Sequence, residues 1–284
     1  MKHCYFALVY NELPFLIQKL PFLYEHFDQI ILYDLGIFHN PYTFSNDGSH
    51  EYIKNFPDPE NKLTLIEKTD LSDVPVLPGV EMESKRKMSV VGSQMVRDDI
   101  DVFWTMDIDE FFDAEMIPAV EQLLEKNPDV QIVDIPQYLF WRDLDHILCE
   151  PASNLLKNEI RVARHQPGRI YLHCNMDKIG KSIKLLDFAM YHFSWISAEK
   201  IIFKSEIYSI KDKEMKNHYI NYLQNVWLKT NLESIPPNCL YGYPNMHPNP
   251  FLKAGVKKFP GLLPKYIDKH KVMQMLHDKD IQLI

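Results

Sequence analysis

The chain has 284 residues, of which 46% are hydrophobic and 25% charged, so it can build a sizeable core and is neither disordered nor fibrous. Its net charge of -8 argues against a protein that binds polyanions over its whole surface. The four cysteines are widely separated, which indicates neither a zinc ribbon nor a dense disulfide framework and favours a reducing, cytoplasmic compartment. No apolar run is long enough to predict a signal-peptide core or a membrane span.

The first part of the sequence predicts strands that alternate with helices. Apolar runs at residues 5–9, 29–33 and 63–66 are typical of buried strands. Apolar side chains recur from Leu16 to Phe27 at steps of four, three and four, which predicts an amphipathic helix that Pro21 kinks or shortens. This order favours an α/β fold with a mostly parallel central sheet flanked by helices.

The middle of the sequence continues the same alternation. Residues 84–97 have helical spacing and place Lys85 and Arg86 near the first turn. Residues 101–106 and 130–135 predict strands on either side of a helix at 117–126, which has Pro118 near its start.

The sequence changes character after residue 197. A helical stripe runs from Met215 to Val226, and seven of the 19 prolines then lie between residues 236 and 264. This composition predicts a loop or a lid and not a continuing sheet. We therefore expect a catalytic domain at residues 1–197, with donor binding in 1–113 and the acceptor side in 114–197. A helical and Pro-rich extension at 198–284 would pack on that domain.

An acidic cluster follows the predicted strand at residues 101–106. The sequence contains four Asp-x-Asp triplets, but only Asp107-Ile108-Asp109 directly follows a strand-like apolar run. That position places both carboxylates at the carboxyl edge of a parallel sheet, where open α/β folds bind their ligands. Hard oxygen ligands of this kind suit Mg²⁺ or Mn²⁺ together with substrate phosphates. The competing interpretation is a helix N-terminus capped by acids.

Several segments, in order, resemble GT-A glycosyltransferases that carry a DXD motif, in particular family-2-like nucleotide-sugar enzymes. Residues 104–112 are similar to the DXD segment, residues 7–16 to the opening strand with its Asn-Glu element, and residues 31–34 to the second strand. Residues 180–183 resemble a Lys-Ser element, and residues 191–195 resemble the His-containing segment that closes the donor site. The resemblance covers about residues 5–197 and does not extend to the last third of the chain.

The resemblance implies a role for each matching residue in binding the donor and its metal ion. Asp107 would bridge the ribose and a Mn²⁺ or Mg²⁺ ion, Asp109 would ligate the ion, and His192 would contact the ion or the diphosphate. Asp34 would accept from the base, and Glu12 would border the nucleotide. The donor-binding cations would be these three: Lys85, Arg86 and Lys181.

Each of these assignments has a structural alternative. His192 could be a hydrogen-bonded structural histidine, Lys181 a surface charge and Asp34 a turn or helix cap. On the acceptor side, Asp143 and Asp145 are candidates for the general base of an inverting reaction, beside the aromatic Trp141. The alternative there is a Trp141 that fills the core, with both acids solvated.

The expected activity is transfer of a sugar from a nucleotide-diphosphate sugar, expected to be a UDP-sugar, to a hydroxyl acceptor. The alternative enzyme is a metal-dependent nucleotidyltransferase or phosphohydrolase, and a non-catalytic carbohydrate-binding protein is a second rival. Residues 196–284 carry 13 Lys and eight acids, a local excess of positive charge. This basic third could approach a membrane-linked glycan peripherally at the inner membrane face, and a modified DNA base stays open as an acceptor.

Overall fold

The computed structural model describes residues 1–35, 43–75, 83–149, 159–172, 179–209, 213–234, 240–244 and 251–283. It divides into two compact units. The first unit contains Met1–Pro136 and Asn158–Ala189, and the second contains Gln137–Lys157 and Met190–Ile284. Cys174 and Cys239 lie outside the described residues, as does much of the Pro-rich stretch. No helix in the described ranges combines the length and apolar character that crossing a membrane requires.

The first unit is built on a seven-stranded, mostly parallel sheet. Its strands are β1 (His3–Val9), β2 (Gln29–Asp34), β3 (Leu63–Ile66), β4 (Val102–Thr105), β6 (Ile132–Ile135), β9 (Glu159–Arg164) and β10 (Ser182–Lys184), and a two-residue strand, β5 (Glu110–Phe111), follows β4 in sequence. The strand order is β3-β2-β1-β4-β9-β6-β10, and β9 runs antiparallel to its neighbours, β4 and β6. The expected mixed α/β architecture with a central, mostly parallel sheet is confirmed.

Four described helices belong to the first unit: α1 (Leu13–His26), α2 (Ser49–Lys54), α3 (Glu83–Gln94) and α4 (Met116–Lys126). The α1 helix begins earlier than its apolar stripe because Pro14 lies in its first turn, where a missing N–H costs nothing. Pro21 lies inside the helix. The strands β1, β2 and β4 are almost entirely buried, as expected for a parallel sheet covered on both faces.

The second unit contains a sheet of the strands β7 (Gln137–Trp141), β8 (His146–Cys149), β11 (Met190–Trp195), β12 (Leu240–Pro244) and β13 (Phe251–Lys258). Their order in the sheet is β12-β13-β8-β7-β11. Its helical segments are α5 (Ala198–Ser209), α6 (Lys213–Tyr222), a π-helical turn at Leu223–Trp227, a 3₁₀ turn at Leu232–Ser234 and α7 (Lys269–Leu283).

Two features of the second sheet were not expected from the sequence. The Pro-rich stretch contains the antiparallel β12–β13 pair, where we expected a loop or lid. Pro244 is compatible with a strand because it is the last residue of β12, the outer strand of the order. The boundary expected after residue 197 also differs from the observed division, because β8 pairs with β13 and thereby joins residues of the expected catalytic domain to the C-terminal third.

The core of the second unit is aromatic. Trp141 is fully buried, and its indole N–H donates to the Tyr222 hydroxyl at 2.7 Å. Burial raises the pKa of that tyrosine. Trp195 stacks on Tyr219 with ring centroids 6.0 Å apart. Trp141 is therefore a core residue, as the structural alternative proposed, and it has no exposed face on which a sugar could stack.

Candidate functional site

The candidate site lies at the carboxyl edge of the first sheet, at the point where the strand order reverses. β1 is hydrogen-bonded in parallel to β2 on one side and to β4 on the other. The chain leaves β1 through Asn11 and Glu12 and leaves β4 through Asp107 and Asp109. In open α/β sheets this reversal separates the two connecting segments and opens a ligand crevice between them. The sequence therefore places acids on both segments that border the crevice.

The acidic turn, residues 107–110, is a tight bend that its own groups close. The Glu110 N–H donates to the Asp107 carbonyl at 3.1 Å, and the Asp107 N–H donates to Glu110 Oε2 at 3.0 Å. Asp107 is half-buried and Asp109 is 5% exposed. The turn thus fixes where the two predicted metal ligands emerge from β4.

Glu110 forms a buried ion pair with Arg161 of β9, which the sequence analysis did not identify. Arg161 Nε and Nη2 donate to the two carboxylate oxygens at 2.8 and 2.5 Å. The side chains of Arg161 and Glu110 are 3% and 0% exposed. Val133 pairs with Val162 and Asp134 with Ile160, so Arg161 is the extra residue of a β-bulge, an irregularity that redirects a side chain. No local sequence signal marks this bulge.

Lys19 is a second buried cation beneath the acidic turn. Its Nζ donates to the Asp107 carbonyl at 2.9 Å and to the Glu110 carbonyl. It also lies 4.9 Å from the centroid of the Tyr5 ring and 5.3 Å from that of Phe111. The sequence feature that points to a buried Lys19 is its position on the apolar stripe of α1, three residues after Leu16. A lysine there must either point away from the core or find buried acceptors.

The electrostatics around Lys19 show which predicted residues the fold brings together. Burial lowers the pKa of Lys19 from its usual value of 10.5 to about 7, and Glu110, Asp109, Asp107 and Glu12 oppose that shift. Those four carboxylates are therefore close enough to interact electrostatically with one ammonium group. Of the predicted site residues, Glu12, Asp107 and Asp109 lie within this electrostatic reach of Lys19.

Glu12 occupies the turn from β1 into α1, and a separate segment fixes that turn. The Glu12 N–H donates to Ser49 Oγ at 3.0 Å, and the Leu13 N–H donates to Asp47 Oδ2 at 3.1 Å. Asn11, in the left-handed region with φ 56°, donates its N–H to Ser45 Oγ at 2.9 Å. These bonds satisfy N–H groups near the start of α1 that have no partner within the helix. Glu12 is therefore held at the edge of the crevice.

Asp34 ends β2 as predicted, but its carboxylate is fully buried and has partners within the chain. Ser45 Oγ donates to Oδ1 at 2.6 Å, and His50 Nδ1 lies 2.9 Å from Oδ2. Burial raises the pKa of Asp34, and the hydrogen bonds from Ser45 and His50 oppose the increase. The described geometry makes Asp34 an anchor for the segment that caps α1. Its contact with a nucleotide base stays a prediction.

Lys85 and Arg86 lie in the first turn of α3, and both are half-buried. α3 follows β3 and precedes β4 in the chain. β3 and β4 are both parallel to the strands between them, so β3 ends at the edge that carries the acidic turn. Their role with a diphosphate stays a prediction.

Lys181 lies at the opposite edge of the sheet from the acidic turn. β10 runs parallel to β6, and Lys181 directly precedes β10, so it lies at the amino end of these strands. Its carbonyl accepts from the Gln131 N–H at 2.9 Å. Its Nζ pairs with Asp129 at 2.6 Å, and its side chain is 62% exposed. Lys181 thus forms a surface ion pair, and its role with the donor stays a prediction.

In the second unit, Asp143 and Asp145 occupy the turn between β7 and β8. Asp143 Oδ1 accepts from the N–H groups of Asp145 and His146, both at 2.8 Å, and the His146 ring lies 2.8 Å from Oδ2. Asp145 pairs with Lys269. The carboxylate of Asp143 therefore closes a turn in which Arg142 has a φ of 66°. A general-base role for either acid stays a prediction, and the turn accounts for both without one.

His192 lies on β11 in the second unit, and its Nδ1 is 3.0 Å from Gln137 Oε1. The β7–β11 pairing is irregular between His192 and Trp195. Its role as a third metal ligand stays a prediction. Within the described ranges, no three His, Cys, Asp or Glu side chains are gathered as a ready-made metal site. The two carboxylates of the acidic turn suit instead an ion that is also bound by water and phosphate.

Comparison with known proteins gave weak structural likeness only. No protein-family model and no curated protein matches the chain. Among solved structures, S. aureus TarS 1-349 is similar at 12% identity, with 82% of this chain and 76% of that chain covered and a TM-score of 0.42. A second S. aureus TarS structure gives 11% identity, 82% and 46% coverage and a TM-score of 0.43. A 4-diphosphocytidyl-2C-methyl-D-erythritol synthase from Anaerococcus prevotii gives 9% identity, 71% and 95% coverage and 0.37.

Proposed function

We propose that this chain is a metal-dependent glycosyltransferase of the GT-A type that transfers a sugar from a nucleotide-diphosphate sugar to a hydroxyl group. The observation that carries the proposal is the position of Asp107 and Asp109. They follow β4 at the strand-order reversal, opposite Glu12, on a turn that the chain itself holds in place. A nucleotide is the ligand that this position in a doubly wound sheet commonly binds.

The residues present fit a Mg²⁺ or Mn²⁺ ion. Asp107 and Asp109 would supply hard oxygen ligands, and phosphate oxygens of the donor and water would supply the others. When bound, such an ion stabilises the negative charge that grows on the departing diphosphate. Lys85 and Arg86 are the cations of the first unit proposed to balance the remaining phosphate charge. Glu12 borders the nucleotide across the crevice from the acidic turn.

The donor we expect is a UDP-sugar, and the acceptor we expect is a glycan hydroxyl. The local excess of Lys over acids in residues 196–284 favours an anionic acceptor or one linked to a membrane surface. A peripheral contact of this kind belongs to the proposal. DNA is the alternative acceptor, and the net charge of -8 is unfavourable to it.

The metal role is tested with Asp109→Asn, which removes one anionic ligand and keeps the shape of the side chain. We expect Mn²⁺-dependent hydrolysis of a nucleotide-sugar and transfer from it to fall at least about 100-fold, consistent with losing a direct ligand. The matched control is Asp99→Asn, an acid of another Asp-x-Asp triplet, which is exposed and bonds Lys2. Turnover in Asp109→Asn equal to that in the wild type would refute the proposal.

The donor is identified by thermal shift. Nucleotide-sugars are screened with Mn²⁺, with Mg²⁺ and with EDTA, because a ligand that binds only the folded state raises the melting temperature by mass action. We expect the shift to require the metal and to vanish in Asp109→Asn. Release of pyrophosphate from a nucleoside triphosphate, without sugar transfer, would indicate the nucleotidyltransferase alternative. Release of phosphate would indicate the phosphohydrolase.

A further inference from the structure

The main chain of Asp107 is fixed from several directions by groups of the first unit. Its N–H donates to Glu110 Oε2 at 3.0 Å. Its carbonyl accepts from Lys19 Nζ at 2.9 Å, from the Tyr5 hydroxyl at 3.3 Å and from the Glu110 N–H at 3.1 Å. The Tyr5 hydroxyl also donates to the preceding Met106 carbonyl at 3.0 Å. Both main-chain polar groups of Asp107 therefore have partners within the chain itself.

The groups that hold the turn are rigid because they are buried. Lys19 and Glu110 are fully buried, and Arg161 is 3% exposed. The Lys19 ammonium is enclosed by the rings of Tyr5, Phe111 and Phe112, with centroids at 4.9, 5.3 and 5.9 Å. Charge-assisted hydrogen bonds are stronger when water is excluded, and packed side chains lose little further entropy when a ligand arrives.

We propose that Lys19 and the Glu110–Arg161 pair are positioning residues that hold the acidic turn in one backbone conformation, ready for a divalent cation at Asp107 and Asp109. The inference rests on the proposed function, because it concerns the same ion. In this proposal these side chains are not ligands of the ion. They act through the main-chain N–H and carbonyl groups of Asp107. Groups that orient metal ligands in this way typically change metal affinity by about 10- to 100-fold when they are altered.

The test is a titration with Mn²⁺ alone, in which the free ion is measured by electron paramagnetic resonance. Lys19→Met keeps an unbranched side chain and removes both donated bonds. Glu110→Gln keeps the shape and removes the charge that binds Arg161. We expect each variant to bind Mn²⁺ about tenfold or more weakly than the wild type.

The matched control is Lys62→Met. Lys62 also donates to a carbonyl, that of Tyr24 at 3.1 Å, and lies over an aromatic ring, 5.1 Å from the Tyr24 centroid. It contacts α1 far from the acidic turn. We expect Lys62→Met to lower the melting temperature and to leave the Mn²⁺ affinity within about twofold of the wild type, a split that general destabilisation would not produce.

The outcomes separate this inference from the proposed function. A wild-type protein that binds Mn²⁺ no better than Asp109→Asn overturns the proposed metal site itself. Asp109-dependent binding that folded Lys19→Met and Glu110→Gln retain at full affinity overturns only the positioning role. A failure of both variants to fold also overturns it as stated, because these residues would then be needed for the fold as a whole.

Discussion

Individual side chains balance the charges around the acidic turn through specific atomic contacts. Glu110, which follows the two predicted metal ligands, is neutralised by Arg161 within the protein. The Lys19 ammonium group donates hydrogen bonds to carbonyls of the same turn and interacts electrostatically with four carboxylates. A buried charge is tolerated only when such partners are present. The charge of Glu110 is therefore balanced by a cation of the first unit itself.

Lys19 makes the free energy of unfolding depend on pH, in a direction that follows from its lowered pKa. Its pKa is about 7 in the folded chain and has its usual value of 10.5 once unfolded. Between these values the unfolded chain binds more protons, so the Lys19 contribution to stability increases with pH, by at most about 1.4 kcal/mol per unit. We expect the difference in free energy of unfolding, wild type minus Lys19→Met, to increase from pH 7 to pH 9. Denaturant titrations across that range measure it, and a difference independent of pH contradicts it.

Gly92 in α3 is required because its backbone approaches an aromatic ring. A Cβ at this position would lie 2.2 Å from Cε2 of Phe6, a buried side chain that also stacks on Phe103. Gly92→Ala gains up to about 1 kcal/mol of helix propensity but overpacks the core, which costs about 1–3 kcal/mol. We expect net destabilisation in urea unfolding. Adding Phe6→Leu should recover part of it, and a Gly92→Ala variant more stable than the wild type would contradict the packing.

At the scale of elements, the segment at residues 45–49 holds the start of α1. Ser45, Asp47 and Ser49 accept the N–H groups of Asn11, Leu13 and Glu12 respectively. A short polar segment thus supplies the cap that Glu12 itself does not provide. The cap in turn positions the β1–α1 turn that borders the crevice.

Ser49→Ala tests this cap. Ser49 Oγ accepts from the Glu12 N–H and donates to Asp47 Oδ1 at 2.6 Å, and the residue is fully buried. We expect a loss of about 1 kcal/mol in thermal or chemical unfolding, as for other lost helix caps. The exposed Ser72→Ala is the control, with a change within about 0.5 kcal/mol. Equal stability of the two variants would show that Ser49 does not stabilise the start of α1 as a cap.

Because Asp143 closes the β7–β8 turn, we expect its replacement to lower the stability of the protein. Asp143→Ala removes the acceptor of two backbone N–H groups and of the His146 ring, so we expect a loss of about 1–2 kcal/mol in stability. A transfer rate of the folded fraction equal to that of the wild type would limit Asp143 to this structural role. A stable variant whose transfer falls by orders of magnitude would support the general-base prediction.

At the scale of the whole molecule, the net charge of -8 sets the expected behaviour toward polyanions. Association with DNA depends on releasing counterions by many cationic contacts, and it weakens steeply with salt. We expect the protein to pass through a double-stranded DNA column at about 0.15 M salt. Retention that falls with increasing salt would show that the basic C-terminal third acts as a local DNA surface. The same column run with Asp109→Asn would show whether the acidic turn contributes.

Much of the first unit could be predicted from the sequence. The strands β1, β2 and β4 are continuous apolar runs, and the helices α1, α3 and α4 have apolar residues at helical spacing. The local sequence pattern was therefore sufficient to predict these strands and helices. The sheet of the second unit could not be predicted in this way, although the helical stripe from Met215 to Val226 coincides with α6 and the π-helical turn after it. This sheet pairs β8 with β13, about a hundred residues apart, and a strand pairing over that distance leaves no local periodicity.

The sequence by itself determined that an Asp-x-Asp triplet follows a buried strand and that this strand belongs to a parallel sheet, because strand patterning and strand ends are local properties. Only the tertiary structure decided which cations support that triplet. Lys19 and Arg161 reach it from a helix and from a bulged antiparallel strand, while Lys181, chosen from its motif, lies at the other edge. The direction of each strand and the bulge in β9 arise from long-range pairing, and these decide which side chains meet.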